Sequence, residues 1–180
     1  LGSKSSGNIN KDAVTLKAKR YYHNKMMINY LKASKRKRIV FYFDCTYEFT
    51  DGDYEGKGVG GAEASLILLA RELAKKGHLV EVYNKTKVKG IFNDVYYDHV
   101  SNFKNWVYSD VFVLFRNPSR ILRYVNSNVK IFWSCDQWTS GNWKYDTLPY
   151  VNKMVCISDY HKKYVEMIHA PIKDGFIQVI

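Results

Sequence analysis

The stretch from residue 38 to residue 84 limits the possible folds more than any other part of this chain. Residues 38–44 form a β-branched and aromatic run that reads as a strand. A loop follows, ending in Gly58-Val59-Gly60-Gly61-Ala62-Glu63. From Ala64 to Gly77 the spacing predicts an amphipathic helix. Leu66, Leu69, Ala70, Leu73 and Ala74 recur at helical intervals and make one apolar stripe. Arg71, Glu72, Lys75 and Lys76 fall on the other side, with Glu72 placed to pair with Lys76 one turn on. Gly77 stands where a left-handed C-terminal cap is wanted. Residues 78–84, in which Val80 and Val82 alternate with Glu81, return as a strand. The result is a βαβ unit with its glycines at the helix N-terminus.

That placement has chemical consequences. The first N–H groups of a helix lack partners within it, and the helix dipole adds partial positive charge there. Glycines let a phosphate or a sugar reach the main chain with no Cβ in the way, which makes Gly60 and Gly61 candidate binding residues. The same pair also fits a simple tight turn, and Glu63 fits the ordinary preference for an acid in a first helical turn. Neither a G-x-G-x-x-G fingerprint nor a P-loop lysine is present, which counts against a dinucleotide-dependent dehydrogenase.

The 180 residues suffice for one domain, which at this size buries roughly 70% of its unfolded surface. Residues 45–60 make a long, acidic, glycine-containing loop, a length that points to function or mobility. Residues 91–97 read as a short strand and 98–106 as a turn or helix. Residues 108–116 are a strand, and the unbroken apolar run from Val111 to Phe115 predicts cover on both faces. A short helix is expected over 119–125 and strands over 129–134 and 153–157. Ser158-Asp159 caps a helix to about His169, with Tyr160, Tyr164, Val165 and Ile168 as its apolar side. Residues 175–180 begin another strand. Strands alternating with helices give an α/β fold: a Rossmann-like, doubly wound, mainly parallel sheet with helices on both faces. Ligands of such sheets bind beyond the carboxyl ends of the strands. That rule selects Asp44, Gly60-Gly61, Arg116-Asn117, Cys135-Asp136-Gln137-Trp138 and Ser158-Asp159. Plainer roles stay open: a turn cap for Asp136, a surface ion pair for Arg116, core packing for Trp138. The histidines show no metal-ligand spacing, and no metal site is expected.

Several of these segments share a pattern with one family. Gly60-Gly61-Ala62-Glu63, followed by Leu69-Ala70, Leu73 and Gly77-His78-x-Val80-x-Val82, resembles the start of family 4 glycosyltransferases. The run from Lys130 through Trp133 to Cys135-Asp136 resembles the family segment in which a His-Asp pair follows a strand ending in Trp. Val155-Cys156-Ile157-Ser158 before Tyr160-His161-Lys162 resembles the family's Val-x-x-Ser ahead of a helix, and residues 175–180 resemble the strand entering the interdomain linker. The resemblance covers residues 38–180. It implies a GT-B architecture, with this chain as the single acceptor-side half and a donor-binding domain expected beyond Ile180.

The implied function is that of a retaining glycosyltransferase, moving a sugar from a nucleotide-sugar donor to the hydroxyl of a glycan or lipid-linked acceptor. No cofactor or metal is implied, and this half alone is expected to be inactive. By the same resemblance Gly60 and Gly61 face the donor phosphates and Asp136 is the catalytic candidate. Glu63, Arg116, Asn117, Cys135, Trp138 and Ser158 line the acceptor side. Cys135 departs from the family pattern, where a histidine stands. A thiol, with a reference pKa near 8.5 against about 6.5 for imidazole, is no simple substitute as a base. Asp136 can still orient an acceptor hydroxyl or take its proton. A reading from another class is a noncatalytic Rossmann-like module that binds glycan or lipid or tethers a larger protein.

Charge is unevenly spread. Of the net +11, residues 1–38 hold eleven Lys/Arg against one acid, and the rest of the chain is near neutral. Residues 1–37 therefore form a basic leader, expected to be unstructured over 3–10 and to hold a helix or two over 11–37. It reads as a solvated linker, as a contact for an anionic membrane surface through lysines interleaved with aromatics and methionines, or, with least support because no recognised module accompanies it, as a nucleic-acid contact. No run of eighteen apolar residues predicts a membrane span, and the first residues carry no signal-peptide core. Three cysteines without C-x-x-C spacing favour a reducing compartment. The expected location is cytoplasmic, free or peripheral to a membrane.

Overall fold

The computed structural model describes residues 6–136, 147–169 and 172–180, with side chains from residue 13 onward. Its strands are β1 (Arg38–Tyr42), β2 (Leu79–Asn84), β3 (Gly90–Phe92), β4 (Val95–His99), β5 (Ser109–Phe115), β6 (Ser127–Trp133), β7 (Lys153–Cys156) and β8 (Ile177–Val179). All join one sheet in the order β3-β4-β2-β1-β5-β6-β7-β8. Pairing is parallel throughout except between β3 and β4. From β1 the chain builds outward through β2 to β4, then returns to the other side of β1 to add β5 and the later strands. The order therefore reverses between β1 and β5, which makes this a Rossmann-like, doubly wound sheet.

Apolar side chains alternate between the two faces of the central strands. Ile39, Phe41, Phe43, Val113 and Phe115 share one core with Leu66, Ile67, Ala70 and Ala74 of helix α3 (Gly61–Lys75). Val40, Tyr42, Phe112, Leu114 and Phe132 point the other way, into a core with Leu122 and with Val165 of helix α4 (Asp159–His169). Two helices thus cover opposite faces, as expected, while single 3-10 turns at Val100–Asn102 and Arg120–Arg123 make the links on either side of β5. No helix among the described residues is long and apolar enough to cross a membrane.

Several local expectations change. In α3 the buried stripe is Glu63, Leu66, Ile67, Ala70 and Ala74, while Leu69 is exposed. Both candidate stripes share Leu66, Ala70 and Ala74, and contact with the sheet turned the helix by about one residue towards Ile67. Glu72 pairs with Lys75 at 2.7 Å rather than with Lys76. In α4 the buried residues are His161 and Val165, with Tyr160 and Ile168 outside. The expected strand over 91–97 is a hairpin instead. Asn93 and Asp94 both take positive φ (47° and 61°), the backbone of a two-residue turn whose twist suits a hairpin. The loop over 45–60 contains a short helix, α2 (Asp51–Glu55), whose entry is fixed by the Thr50 N–H donating to Asp53 Oδ2 at 2.6 Å. Finally, the leader forms one continuous helix, α1 (Ser6–Ser34), which includes part of the stretch expected to be unstructured.

Helix α2 explains why Arg71 is not on the solvent side. Its guanidinium donates from Nη2 to Asp51 Oδ2 at 2.8 Å and from Nη1 to Glu55 at 3.0 Å. Asp51 is 2% exposed and also receives the Asn93 amide, so one ion pair clips α2, α3 and the hairpin turn together. Removing one partner of a buried pair strands the other charge. Arg71→Ala is therefore expected to lower the unfolding free energy by about 3–5 kcal/mol in urea titration, and a loss below about 1 kcal/mol, the range of exposed pairs, would contradict this account.

Candidate functional site

The strand order reverses between β1 and β5, so the segments leaving their carboxyl ends diverge and a crevice opens between them. Asp44 follows β1, and Arg116-Asn117 follows β5. Asn117 donates from Nδ2 to the Asp44 carbonyl at 2.7 Å, tying the two exits together. Arg116 lies in the left-handed backbone region, at φ 65°, and its N–H donates to the Trp133 carbonyl at 2.8 Å. A side-chain-bearing residue is disfavoured there, and such strain collects at functional positions.

The Arg116 side chain gathers three elements. Its Nε donates to Asp136 Oδ2 at 2.6 Å, beyond β6, and its Nη1 to Glu63 Oε1 at 3.5 Å, in the first turn of α3. The Asp136 hydrogen bond holds the guanidinium pKa above its ordinary value, with the charges of Asp136 and Glu63 adding to it. Gly60 is the N-cap of α3, and a Cβ there would run into Glu63 Oε2. A side chain at 60 would have to displace the carboxylate folded over it. At Gly61 nothing lies within 4 Å of where a Cβ would stand, and its φ is not positive. No contact within the chain calls for glycine there.

Two cavities meet at Arg116. The larger, about 1380 Å³, runs along the carboxyl edge past Asp44, Lys85, Asp98, Asn117 and Asp136. The smaller, about 650 Å³, lies against Gly58–Gly60 and Glu63. Tyr47, Glu48 and Arg116 line both, and Tyr47 is 65% exposed. Along the larger cavity Lys85, Lys87 and Lys89 pair with Asp44 (2.8 Å), Glu48 (3.2 Å) and Asp98 (3.5 Å). Burial pushes the Asp98 carboxyl up, but hydrogen bonds from the Tyr96 hydroxyl, the Asn102 amide and the His99 N–H outweigh it and leave it below its usual value. Four Lys/Arg side chains and four carboxylates line this cavity, so its charges balance.

Of the residues chosen from sequence, Gly60, Glu63, Arg116, Asn117 and Asp136 come together at this crevice, while Gly61 lines neither cavity. Ser158 does not line either cavity. Its Oγ accepts the His161 N–H at 3.1 Å and caps α4. Cys135 is half-buried and packs against the core that contains Phe115 and Trp133. Trp138 lies outside the described residues. Sequence reasoning missed Tyr47, Glu48, the three lysines and Asp98. Alternating lysines just past a strand's carboxyl end were the available signal. His161, treated as structural or solvated, is buried and lies 3.3 Å from the Ser134 hydroxyl, which in turn donates to the Asp136 carbonyl. Burial holds its imidazole below the ordinary value. Among the described residues no group of three or more His, Cys, Asp or Glu is placed to hold a metal ion.

Compared with family models, curated proteins and solved structures, the chain has no match. Fold and site define it as a Rossmann-like α/β domain with a polar crevice at its switch point.

Burial, with the Asp136 charge adding and Arg116 opposing, pushes the Cys135 thiol up to about 12. A raised thiol pKa means the reactive thiolate forms only as pH climbs towards that value. Iodoacetamide labelling of Cys135, read by peptide mass mapping, is therefore expected to stay far slower than that of a free cysteine at pH 8 and to rise only above about pH 10. Rapid labelling at pH 8 would count against the burial described.

Proposed function

We propose that this domain is the acceptor-side half of a retaining glycosyltransferase that uses a nucleotide sugar, and that its switch-point crevice holds the hydroxyl-rich acceptor. The supporting observation is the arrangement around Arg116: a strained cation set between Glu63 and Asp136 where two cavities meet. A lining with balanced donors and acceptors suits a polyhydroxylated, largely uncharged ligand better than a polyanion, and exposed Tyr47 offers a ring face to a sugar. Asp136 gives one oxygen to Arg116 and keeps the other for an acceptor hydroxyl, so its part is to orient the nucleophilic oxygen and take up its proton. Arg116 adds positive charge where negative charge develops. The nucleotide sugar is the second substrate, and no further cofactor enters the scheme.

A noncatalytic glycan- or lipid-binding module is the second reading, favoured by Cys135. Its thiol, pushed to about 12, supplies no base where the resembling family has histidine. The three free cysteines fit a reducing, cytoplasmic setting. An anionic membrane surface is a partner for α1 chiefly through charge, since its exposed Val14, Tyr21, Tyr22, Met26 and Tyr30 share their side of the helix with Lys19, Lys25 and Lys32 and form no clean apolar stripe.

Calorimetry with the full chain tests the proposal. Neutral oligosaccharides are expected to bind and nucleotide sugars to bind more weakly than micromolar, with Arg116→Ala and Asp136→Ala each weakening the glycan about ten-fold or more. Gly61→Ala is expected to leave stability unchanged or raised by up to about 1 kcal/mol while weakening a ligand that approaches the main chain there. Glycan binding indifferent to all three changes would end this reading.

A further inference from the structure

The glycine loop has the makings of an anion site, yet a carboxylate already stands in it. Glu63 is 6% exposed and lines the smaller cavity, with Oε2 against Gly60. Its one hydrogen bond among the described residues is the 3.5 Å contact from Arg116. A carboxylate has about four acceptor positions, so a nearly buried Glu63 faces the cavity with most of its capacity unused. Such a group calls for donors. An incoming phosphate brings only acceptors and negative charge, and it would meet Glu63 directly, with Glu48 and Asp136 close by on Arg116's other side. A sugar brings hydroxyl protons, and neighbouring hydroxyls can give two hydrogen bonds to one carboxylate. The helix N-terminus behind the glycines then stabilises the Glu63 charge instead of a ligand's.

We propose that the cavity between the Gly58–Gly60 turn and Arg116 takes the neutral, hydroxyl-bearing face of a sugar ring, read by Glu63 and flanked by Tyr47, and that Glu63 excludes phosphate from it. The inference rests on the carbohydrate reading above and changes one part of it: the glycine loop meets sugar hydroxyls, and a donor's diphosphate lies elsewhere. With no side chain at Gly60, the Glu63 carboxylate can fold back across it. The charge of this one residue sets the chemistry that the pocket accepts.

The test uses the full chain labelled for amide NMR and three probes: neutral methyl hexosides, hexose 6-phosphates and inorganic phosphate. In the wild type the Gly60 and Gly61 amides are expected to shift with the neutral glycosides and not with inorganic phosphate. Glu63→Gln keeps the shape and removes the charge. It is expected to weaken the glycosides about ten- to a hundred-fold, the range for losing a charged hydrogen bond, and to let inorganic phosphate shift the same amides. Gly60→Ala, which displaces the carboxylate and leaves its charge, should lose the glycoside response without gaining phosphate. Wild-type amides at 60 and 61 that respond to inorganic phosphate, while glycosides still bind along the larger cavity, would overturn this inference alone. Silence towards every glycoside would overturn the carbohydrate reading together with it.

Discussion

The site depends on one constraint, the parallel pairing of β1 with β5. Each strand is flanked on both sides, so its side chains must be apolar in both directions, and the four faces they present form the two cores. The chain arrives at these neighbours from opposite directions of sheet growth. Their exits therefore part. The Asn117 amide on the Asp44 carbonyl ties the two exits together, and polar side chains from both line the larger cavity.

Arg116 gathers the groups around this opening. Its left-handed backbone costs on the order of 1–2 kcal/mol, and the fold accepts it because the N–H still reaches the Trp133 carbonyl and continues the β5–β6 ladder by one bond. The altered backbone swings the side chain across the strand ends, where an extended residue would point into a core. Two carboxylates from separate elements meet it there. At about a third exposed, the guanidinium stays partly screened, so these ion pairs position groups more than they stabilise the fold. A cation held this way is free to share its donors with a ligand.

Legibility in the sequence followed how local each signal was. The unbroken run Val111–Phe115 and the αβ punctuation around Gly77 (φ 89°) are decided by neighbouring residues, and β1, α3, β2, β5 and the sheet class came out as read. The switch-point rule then put Arg116, Asn117 and Asp136 just past the ends of β5 and β6, where the structure has them, because it depends only on where strands end. What stayed hidden was settled by distant partners. Arg71 looks solvated until Asp51, twenty residues earlier in the chain, folds onto it. Leu69 and Ile67 are equally apolar, and only the sheet decides between them. Thr50 ahead of Asp53 was a readable capping signal for α2, and Asn93-Asp94 a readable turn. Tyr47 carried no local mark at all, since its importance comes from two cavities meeting beside it.

The opposite edge of the sheet shows a different use of charge. There Arg38, 5% exposed, holds both oxygens of Glu81 (2.7 and 2.6 Å) and the Tyr108 carbonyl (2.6 Å). Helix α1 docks on the same edge. Asn24 donates to the Trp106 carbonyl and accepts from the Tyr108 N–H, Arg20 stacks on Trp106, and Leu31 is buried. Those contacts need only one side of the helix, and Lys17, Lys19, Lys25 and Lys32 are exposed. Basicity so conspicuous in the sequence is thus spent neither on the crevice nor on the cores. The crevice keeps its own charges in balance and is separated from the leader by the length of the strands, well over the roughly 8–10 Å across which exposed charges act in physiological salt. The charges around Arg116 and those of α1 thus belong to opposite edges of the sheet, and among the described residues the sheet stands between them.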